Sequence, residues 1–571
     1  MANNQQSKTE IQNQVIGYIV GGGLKESFRV RLTVDPLTVQ EGAFVVIESG
    51  DYQFYGLVTD LQLGATDPRF ADEQSETRLP PSLSKALHGQ TLYTNLEVLP
   101  ALMLERGPEL GTPAYDIWVK KIGDKTPRPL PVKTVPPHHA QVRLANEGDI
   151  AEIFGDPSEK SNFIIGYTRE QGHPVCIDLE KFVQRSSGVF GATGTGKSFL
   201  TRLVLAGLIK YDKASVLVFD MHNEYGYDDT ASDSGLRVIG LKSKFASKLR
   251  VVGLGAGAKI RGSAPDFNLE IAEADISTAD IELLAGELDL KETTATTLDA
   301  LWNSFKHAWF SGFKNMTQEV VATEDGKKVP ANGSVAAWAN ANGVNVMAAE
   351  ALHNKLRRLF NKPYMVSKPA ADSIKEIISA LESGQHVVLS FGEFETDLDY
   401  LLVSNLLTRR IREAWEKKTN SYRTTGKDEP RQLVIVVEEA HKLLNREMAM
   451  QTTFATIARE LRKYYVTLLV IDQRPSQIYD EVMSQLGTRI SGWLGDDDDI
   501  HAVLSGLSGR EALRGMLARL QPKEEVLLLG WGVPMPLPVK SRRYDDEFWK
   551  VLLGNAGGKR SEKQNLKDLG F

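Results

Sequence analysis

The chain of 571 residues contains a single cysteine, Cys176, so an internal disulfide framework is excluded. Long hydrophobic runs are also missing. The strand-like stretches, such as Val526 to Leu529, are broken by charge, Gly or Pro, and none approaches the roughly 18 apolar residues of a membrane-spanning helix. The first residues, Met-Ala-Asn-Asn-Gln-Gln-Ser, have neither the basic start nor the apolar stretch of a signal peptide, and the expectation is a cytoplasmic protein with no membrane attachment. Positive charge is in the minority: 67 Lys and Arg stand against 74 Asp and Glu, a net charge of −7. That sum excludes a generally basic, histone-like binder, and any grip on nucleic acid has to come from a confined basic surface.

What remains is ordinary globular material, with 25% charged and 42% hydrophobic residues, long enough for about three to five domain-sized units. From Gln14 to Leu63 apolar and polar residues alternate. Phe28, Val30, Leu32 and Val34 fall on one face, Arg29, Arg31 and Thr33 on the other, and Asp35-Pro36 supplies a turn. With further strand-like pieces up to Val98, this predicts a small N-terminal β-barrel, carrying a polar insertion around Ala65 to Ser84 and ending with a Pro-rich linker near residue 150. Beyond it, apolar runs alternate with helical stretches: Gly188 to Gly191, Ala214 to Asp220, His386 to Phe391, Gln432 to Glu438, Val466 to Asp472 and Glu524 to Gly530. Continuous apolar strands separated by helices predict an α/β domain over 151–540, built on a parallel sheet covered on both faces. Residues from about 227 to 384 read as a mostly helical, polar insertion, with Ala279 to Leu288 and Thr296 to Phe310 as helices; 541–571 reads as a tail, or an arm that orders on a neighbour.

Three strand ends carry chemistry. Gly191-Ala192-Thr193-Gly194-Thr195-Gly196-Lys197-Ser198 matches G-x-x-x-x-G-K-[ST] between a strand and a helix. In that pattern Gly191, Gly194 and Gly196, with Thr193 and Thr195, let backbone N–H groups close around phosphates. Lys197 neutralises β/γ oxygens and Ser198 coordinates magnesium, which makes ATP and Mg2+ the expected cofactors. A second buried strand ends in Glu438-Glu439-Ala440-His441; Glu438 is placed to hold magnesium and Glu439 to polarise the attacking water. A third ends in Asp472-Gln473, where Gln473 is placed to sense the γ-phosphate, since ligands sit at the carboxyl ends of parallel strands. Arg459 and Arg462 lie on the helix expected between these strands, where an arginine is placed to reach a neighbouring subunit's nucleotide. The run Asp496 to Asp499 reads as an acidic helix start, not as a metal cluster.

These motifs resemble those of the HerA family of hexameric DNA-translocating ATPases, within the FtsK/HerA group of P-loop motors. The resemblance rests on the loop ending in Lys197-Ser198, Asp220-Met221-His222-Asn223-Glu224-Tyr225, Glu438-Glu439-Ala440-His441, Ala458 to Tyr464 and Gln473-Arg474-Pro475. It implies a RecA-like P-loop domain behind an N-terminal barrel, a homohexamer with double-stranded DNA in its central channel, and a partner that is a NurA-like nuclease or another defence effector. It also implies a nucleotide-facing role for Arg185. Two departures stand out: Glu438 replaces the family's usual aspartate, and Leu461 and Tyr465 replace its usual glycines. The implied function is an ATP-driven DNA translocase or helicase in DNA end processing or anti-phage defence. The alternative is a nucleotide-ordered ring scaffold that recruits and activates an effector without continuous translocation. A P-loop kinase of a small substrate is disfavoured by the insertion, the paired glutamates and the barrel.

Overall fold

The computed structural model describes residues 14–24, 26–66, 92–108, 111–122, 128–230, 235, 237–322, 328–448, 452–507 and 509–554. The predicted alternation near the N-terminus closes into a six-stranded antiparallel barrel. Strands Val15–Gly22, Phe28–Leu32, Phe44–Ser49, Tyr52–Ala65, Leu92–Glu105 and Gln141–Leu144 are its staves. Every second residue points inward, so Val30, Val45, Phe54, Val58, Leu96, Val98 and Val142 make a buried core of their own. The Tyr52 and Leu92 strands pair over 14 residues each and bend at two irregularities, Tyr55/Gly56 and Val58/Asp60. Most of the predicted polar insertion after Ala65 lies outside the described residues. The barrel rests on the larger domain through Phe44 against Phe154, with ring centroids 5.9 Å apart, and through the ion pairs Arg106–Glu152 at 2.6 Å and Arg519–Glu41 at 2.7 Å.

The larger domain is α/β, as predicted, on a sheet of twelve strands. Naming each strand by its first residue, the order is Phe267, Leu249, His386, Ser215, Leu433, Val466, Ser187, Thr488, Glu525, Leu537, Asn162, Pro174. The eight from Phe267 to Thr488 are parallel. Their central members, Leu433–Val437 and Val466–Asp472, are apolar throughout because both faces are covered. The remaining four run antiparallel. Glu525–Gly530, predicted to extend the parallel sheet, is one of these.

Two further expectations are corrected. The region 227–384 is not wholly an insertion: Leu249–Leu254 and Phe267–Leu269 are strands of the central sheet, and helix Ser373–Glu382 packs back on it. The helical body inside it, from Thr278 to Phe360, closes on Trp309, Phe310, Phe313 and Phe360, with Trp309 Nε1 donating to the Ile276 carbonyl at 2.8 Å. Of the predicted tail, residues 546–553 form a helix that folds on its own chain. Phe548, Trp549 and Leu552 are buried, and Trp549 meets Phe245 at 5.7 Å. The apolar spacing of that short helix was hidden in a polar surrounding. Among the described residues no helix is long and apolar enough to cross a membrane.

Candidate nucleotide site

The carboxyl edge of the parallel strands gathers most of the residues singled out by sequence. Strand Ser187–Phe190 runs into the glycine loop, and helix Lys197–Tyr211 leaves it with Gly196 at its N-cap. Gly196 sits at φ +93 and Gly194 at φ +75, where a side chain would be strained; at Gly191 a Cβ would stand 2.6 Å from Thr195 Oγ1. Thr195 Oγ1 donates to the Ala192 carbonyl at 2.7 Å, and Lys197 Nζ donates to the same carbonyl at 3.1 Å, so the lysine lies folded along its own loop. Burial lowers the Lys197 pKa against the opposing pull of Glu439 and Asp472. Ser198 is the second residue of the helix, half-buried at the loop.

The two glutamates have different surroundings. Glu438 is buried; one carboxylate oxygen accepts from Tyr225 Oη at 2.6 Å, and its carbonyl accepts from Tyr400 Oη at 2.8 Å. Its other oxygen, Oε2, is buried with no hydrogen-bond partner. Burial, with Asp220 nearby, pushes the Glu438 pKa well above the usual carboxylate range. A bare buried carboxylate with an unused oxygen fits a cation, and Mg2+ takes one or two carboxylates together with phosphate oxygens and water instead of an all-protein cage. Glu439 turns outward. Its backbone adopts φ +45, a conformation that costs a non-glycine residue about 1 kcal/mol and that recurs at functional sites.

Gln473 joins the glutamate to the glycine loop. Its Nε2 donates to Glu439 Oε2 at 3.4 Å, and its Oε1 accepts from Thr193 Oγ1 at 2.6 Å. Beside it, Asp472 is buried and accepts from the His441 backbone N–H at 2.6 Å, while His441 Nδ1 lies 3.0 Å from Asp472 Oδ2. His441 Nε2 then stands 3.8 Å from Glu439 Oε2. The hydrogen bond with Asp472 raises the His441 pKa. Sequence reasoning left three participants off the site: His441, Asp472 and the Asp220–Tyr225 turn. In that turn Asp220 accepts from the N–H groups of Glu224 at 2.7 Å and Tyr225 at 3.0 Å. Their common signal was available, since each follows a buried parallel strand at its carboxyl end.

Arg185 is not at this edge. It precedes the Ser187 strand, six residues before Gly191, which places it about 20 Å from the loop of its own chain. The nucleotide-facing role that the resemblance implies for Arg185 is therefore not one toward the loop of its own chain. The guanidinium lies over the Trp531 ring, 4.2 Å from its centroid. Arg462 is at the same amino edge, exposed, in a 3-10 turn from Leu461 to Tyr464 and not on the helix itself. Arg185 and Arg462 line one cleft of about 1200 Å³. Arg459 belongs to helix Thr453–Glu460; its side chain lies outside the described residues. Tyr465, one of the two residues that replace family glycines, holds φ +64, the left-handed conformation a glycine adopts freely; its N–H donates to the Arg462 carbonyl at 3.3 Å and its hydroxyl to Glu429 at 2.9 Å. The turn that presents Arg462 is thus formed without the glycine. Asp496 caps helix Asp497–Leu504 by accepting from Asp498 and Asp499, so the acidic run is the helix start that its spacing predicted.

With this geometry in place, the chain can be set beside known proteins. Residues 163–411 match the family described as Helicase HerA, central domain. Over that span the chain is similar to the HerA helicases. It is 23% identical to the DNA double-strand break repair helicase HerA of Sulfurisphaera tokodaii over 556 residues, 94% of each chain. With the protein of the same name from Pyrococcus furiosus it shares 24% over 412 residues, 67% of this chain and 70% of that one. Among solved structures it is similar to VirB4 of Thermoanaerobacter pseudethanolicus, with 16% identity, 68% of this chain and 99% of that chain covered, and a TM-score of 0.41. It is also similar to the plasmid coupling protein TrwB in complex with ADPNP, with 13% identity, coverage of 70% and 93%, and a TM-score of 0.43.

Proposed function

We propose that this HerA-like ATPase is an ATP-driven DNA translocase or helicase, working as a homohexameric ring around double-stranded DNA. One observation carries the reading. The residues to which ATP binding and hydrolysis are assigned here converge at the carboxyl edge of the sheet, whereas Arg185 and Arg462, the arginines suited to transition-state charge, open into a cleft at the amino edge. A protomer therefore holds two halves of a site that face apart, and a head-to-tail contact that joins them generates a closed ring when the rotation closes. DNA enters the reading through the relatives, which are named as DNA double-strand break repair helicases.

In this mechanism the N–H groups of the loop from Gly191 to Ser198 receive the phosphates of ATP, and Lys197 leaves the Ala192 carbonyl for the β/γ oxygens. Ser198 and Glu438 would hold Mg2+, which when bound neutralises phosphate charge. Glu439 orients the attacking water and takes its proton. Gln473, already bonded to Thr193 and Glu439, registers whether the γ-phosphate is present. Arg462 of the neighbouring protomer, with Arg459 as the other arginine of that segment, stabilises the charge that develops on the transferring group. On the resemblance to the HerA family, a NurA-like nuclease or another defence effector would act as the partner in trans.

The deciding experiment measures particle mass and steady-state ATP hydrolysis with and without duplex DNA at several salt concentrations. A hexamer whose turnover rises with DNA, with salt-sensitive and sequence-independent binding, is the expected result. Tight ATP binding without steady turnover would favour the scaffold. A monomer with full activity would refute a site shared between protomers.

A further inference from the structure

Arg185 has surroundings that ordinary structural arginines lack. Nearby Arg489, which lines the same cleft, spends its donors on three backbone carbonyls, those of Val503 at 2.5 Å, Ser505 at 2.7 Å and Met483 at 2.8 Å. Arg185 has no ion pair or hydrogen bond from its side chain among the described residues, and its Nε is buried without a partner. What holds it is shape. Its stem passes over Gly487, where a Cβ would stand 2.7 Å from both Cβ and Cδ of the arginine. Its guanidinium carbon stands over the Trp531 ring.

The tryptophan is itself fixed from behind. Its backbone N–H donates to the Gly487 carbonyl at 2.7 Å, the Gly487 N–H donates to the Ser186 carbonyl at 2.7 Å, and the Gly532 N–H donates to Thr488 Oγ1 at 2.8 Å. Gly530, at φ +91, allows this approach, because a Cβ there would lie 2.0 Å from the Gly487 carbonyl. The indole, 45% exposed, is thus presented to the cleft on a rigid backbone. An aromatic face accepts a guanidinium without satisfying its N–H donors. The donors stay free for an anion.

We infer that Trp531 is a positioning residue, which with Gly487 holds Arg185 in the cleft with its donors unspent, ready for the phosphates of a nucleotide carried by a neighbouring copy of the chain. This rests on the proposed reading that the cleft completes a neighbour's site. Trp531 does not touch the nucleotide; it acts through Arg185. Its replacement should lower the rate of the chemical step and leave ATP affinity, which is set at the other edge, nearly unchanged.

The test compares wild type, Arg185→Ala, Arg185→Lys, Trp531→Phe, Trp531→Leu and the double variant Arg185→Ala/Trp531→Leu. Each is checked for particle mass and then assayed for kcat and KM, with single-turnover measurement where activity is low. Trp531→Leu, which keeps an apolar side chain but loses the aromatic face, should reduce kcat about tenfold with KM changed less than about twofold. Trp531→Phe should retain most of the rate. In the Arg185→Ala background Trp531→Leu should cost nothing further, because the two residues act as one unit. Equal factors in both backgrounds would mean a merely structural tryptophan and overturn the inference. So would an unchanged rate in Trp531→Leu beside a crippled Arg185→Ala. Full activity in Arg185→Ala would instead sink the reading on which the inference stands. Arg185→Lys leaves the indole intact and serves if Trp531→Leu fails to fold: a lysine cannot stack its charge in a plane, so full activity in that variant would also overturn the inference.

Discussion

At the carboxyl edge of the sheet, Thr193, Gln473 and Glu439 are linked by hydrogen bonds, and Asp472 holds His441 beside them. At the amino edge of the same strands, Arg185 meets a ring and a glycine, and among the described residues no acid pairs with it. Much of the first edge is internally bonded before any ligand arrives, while Oε2 of Glu438 and Oε2 of Glu224 are buried there without a partner. The second keeps a charged group desolvated at Nε and open at its end. Buried polar groups are normally paired, and the exceptions call for an explanation. A phosphate donor-acceptor site that is completed only by a second protomer supplies one for both edges at once.

The largest effects should come from the carboxyl edge. Lys197→Ala removes the main side-chain counterion of the phosphates and is expected to abolish hydrolysis. Glu439→Gln keeps shape and the hydrogen bond with Gln473 but cannot take the proton of water, so turnover should fall by about 10² to 10⁴ while ATP still binds. Nucleotide-binding titrations beside hydrolysis assays separate the two roles. Equal loss of binding in both variants would break the assignment.

What could be read from sequence follows the same division. The glycine loop was legible because its function is a local backbone shape, written in consecutive residues from Gly191 to Ser198. The strands ending in Glu438 and Asp472 were legible because covering on both faces makes them apolar throughout. Strand Leu249–Leu254 was missed, since Arg250 and Gly253 interrupt its apolar run inside a polar region, and the insertion was drawn too wide as a result. Strand Thr488–Ser491 had even less signal: Thr488, Arg489 and Ser491 are all buried, and the carbonyls of Met483, Val503 and Ser505, from the helices on either side of the strand, converge on Arg489. The meeting of Arg185 with Trp531 joins residues 346 positions apart and has no local signature at all.

The open edge can be tested by mixing. Arg462→Ala alone should reduce turnover by about a thousandfold if it serves as the finger. Subunits carrying Arg462→Ala, mixed with subunits carrying Glu439→Gln, should then recover part of the activity, since some interfaces would pair an intact carboxyl edge with an intact amino edge. Mixtures that never exceed either parent, despite demonstrated subunit exchange, would place the finger elsewhere, Arg459 being next.

The smallest expected effect uses one histidine from each edge. At the amino edge, His386 begins its strand buried, with both ring nitrogens lacking a hydrogen-bond partner; burial first and then the Arg431 charge push its pKa down to about 4. The unfolded chain, with histidine near its usual 6.5, binds more protons than the folded chain between those values. The stability associated with neutral His386 is therefore present above pH 6.5 and is lost as pH falls toward 4, which amounts to about 2 kcal/mol between pH 7.5 and 5. His441 has the opposite sign. Asp472 raises its pKa, so its contribution is present below the usual histidine value and fades as pH climbs through the raised one. Thermal unfolding of the nucleotide-free protein across this range should show His386→Leu weakening the acid-side loss of stability, and His441→Gln weakening the loss on the alkaline side. An acid limb unchanged by His386→Leu would show that the ring takes up its proton in the fold as readily as in water, and that the amino edge is wetter than its packing implies.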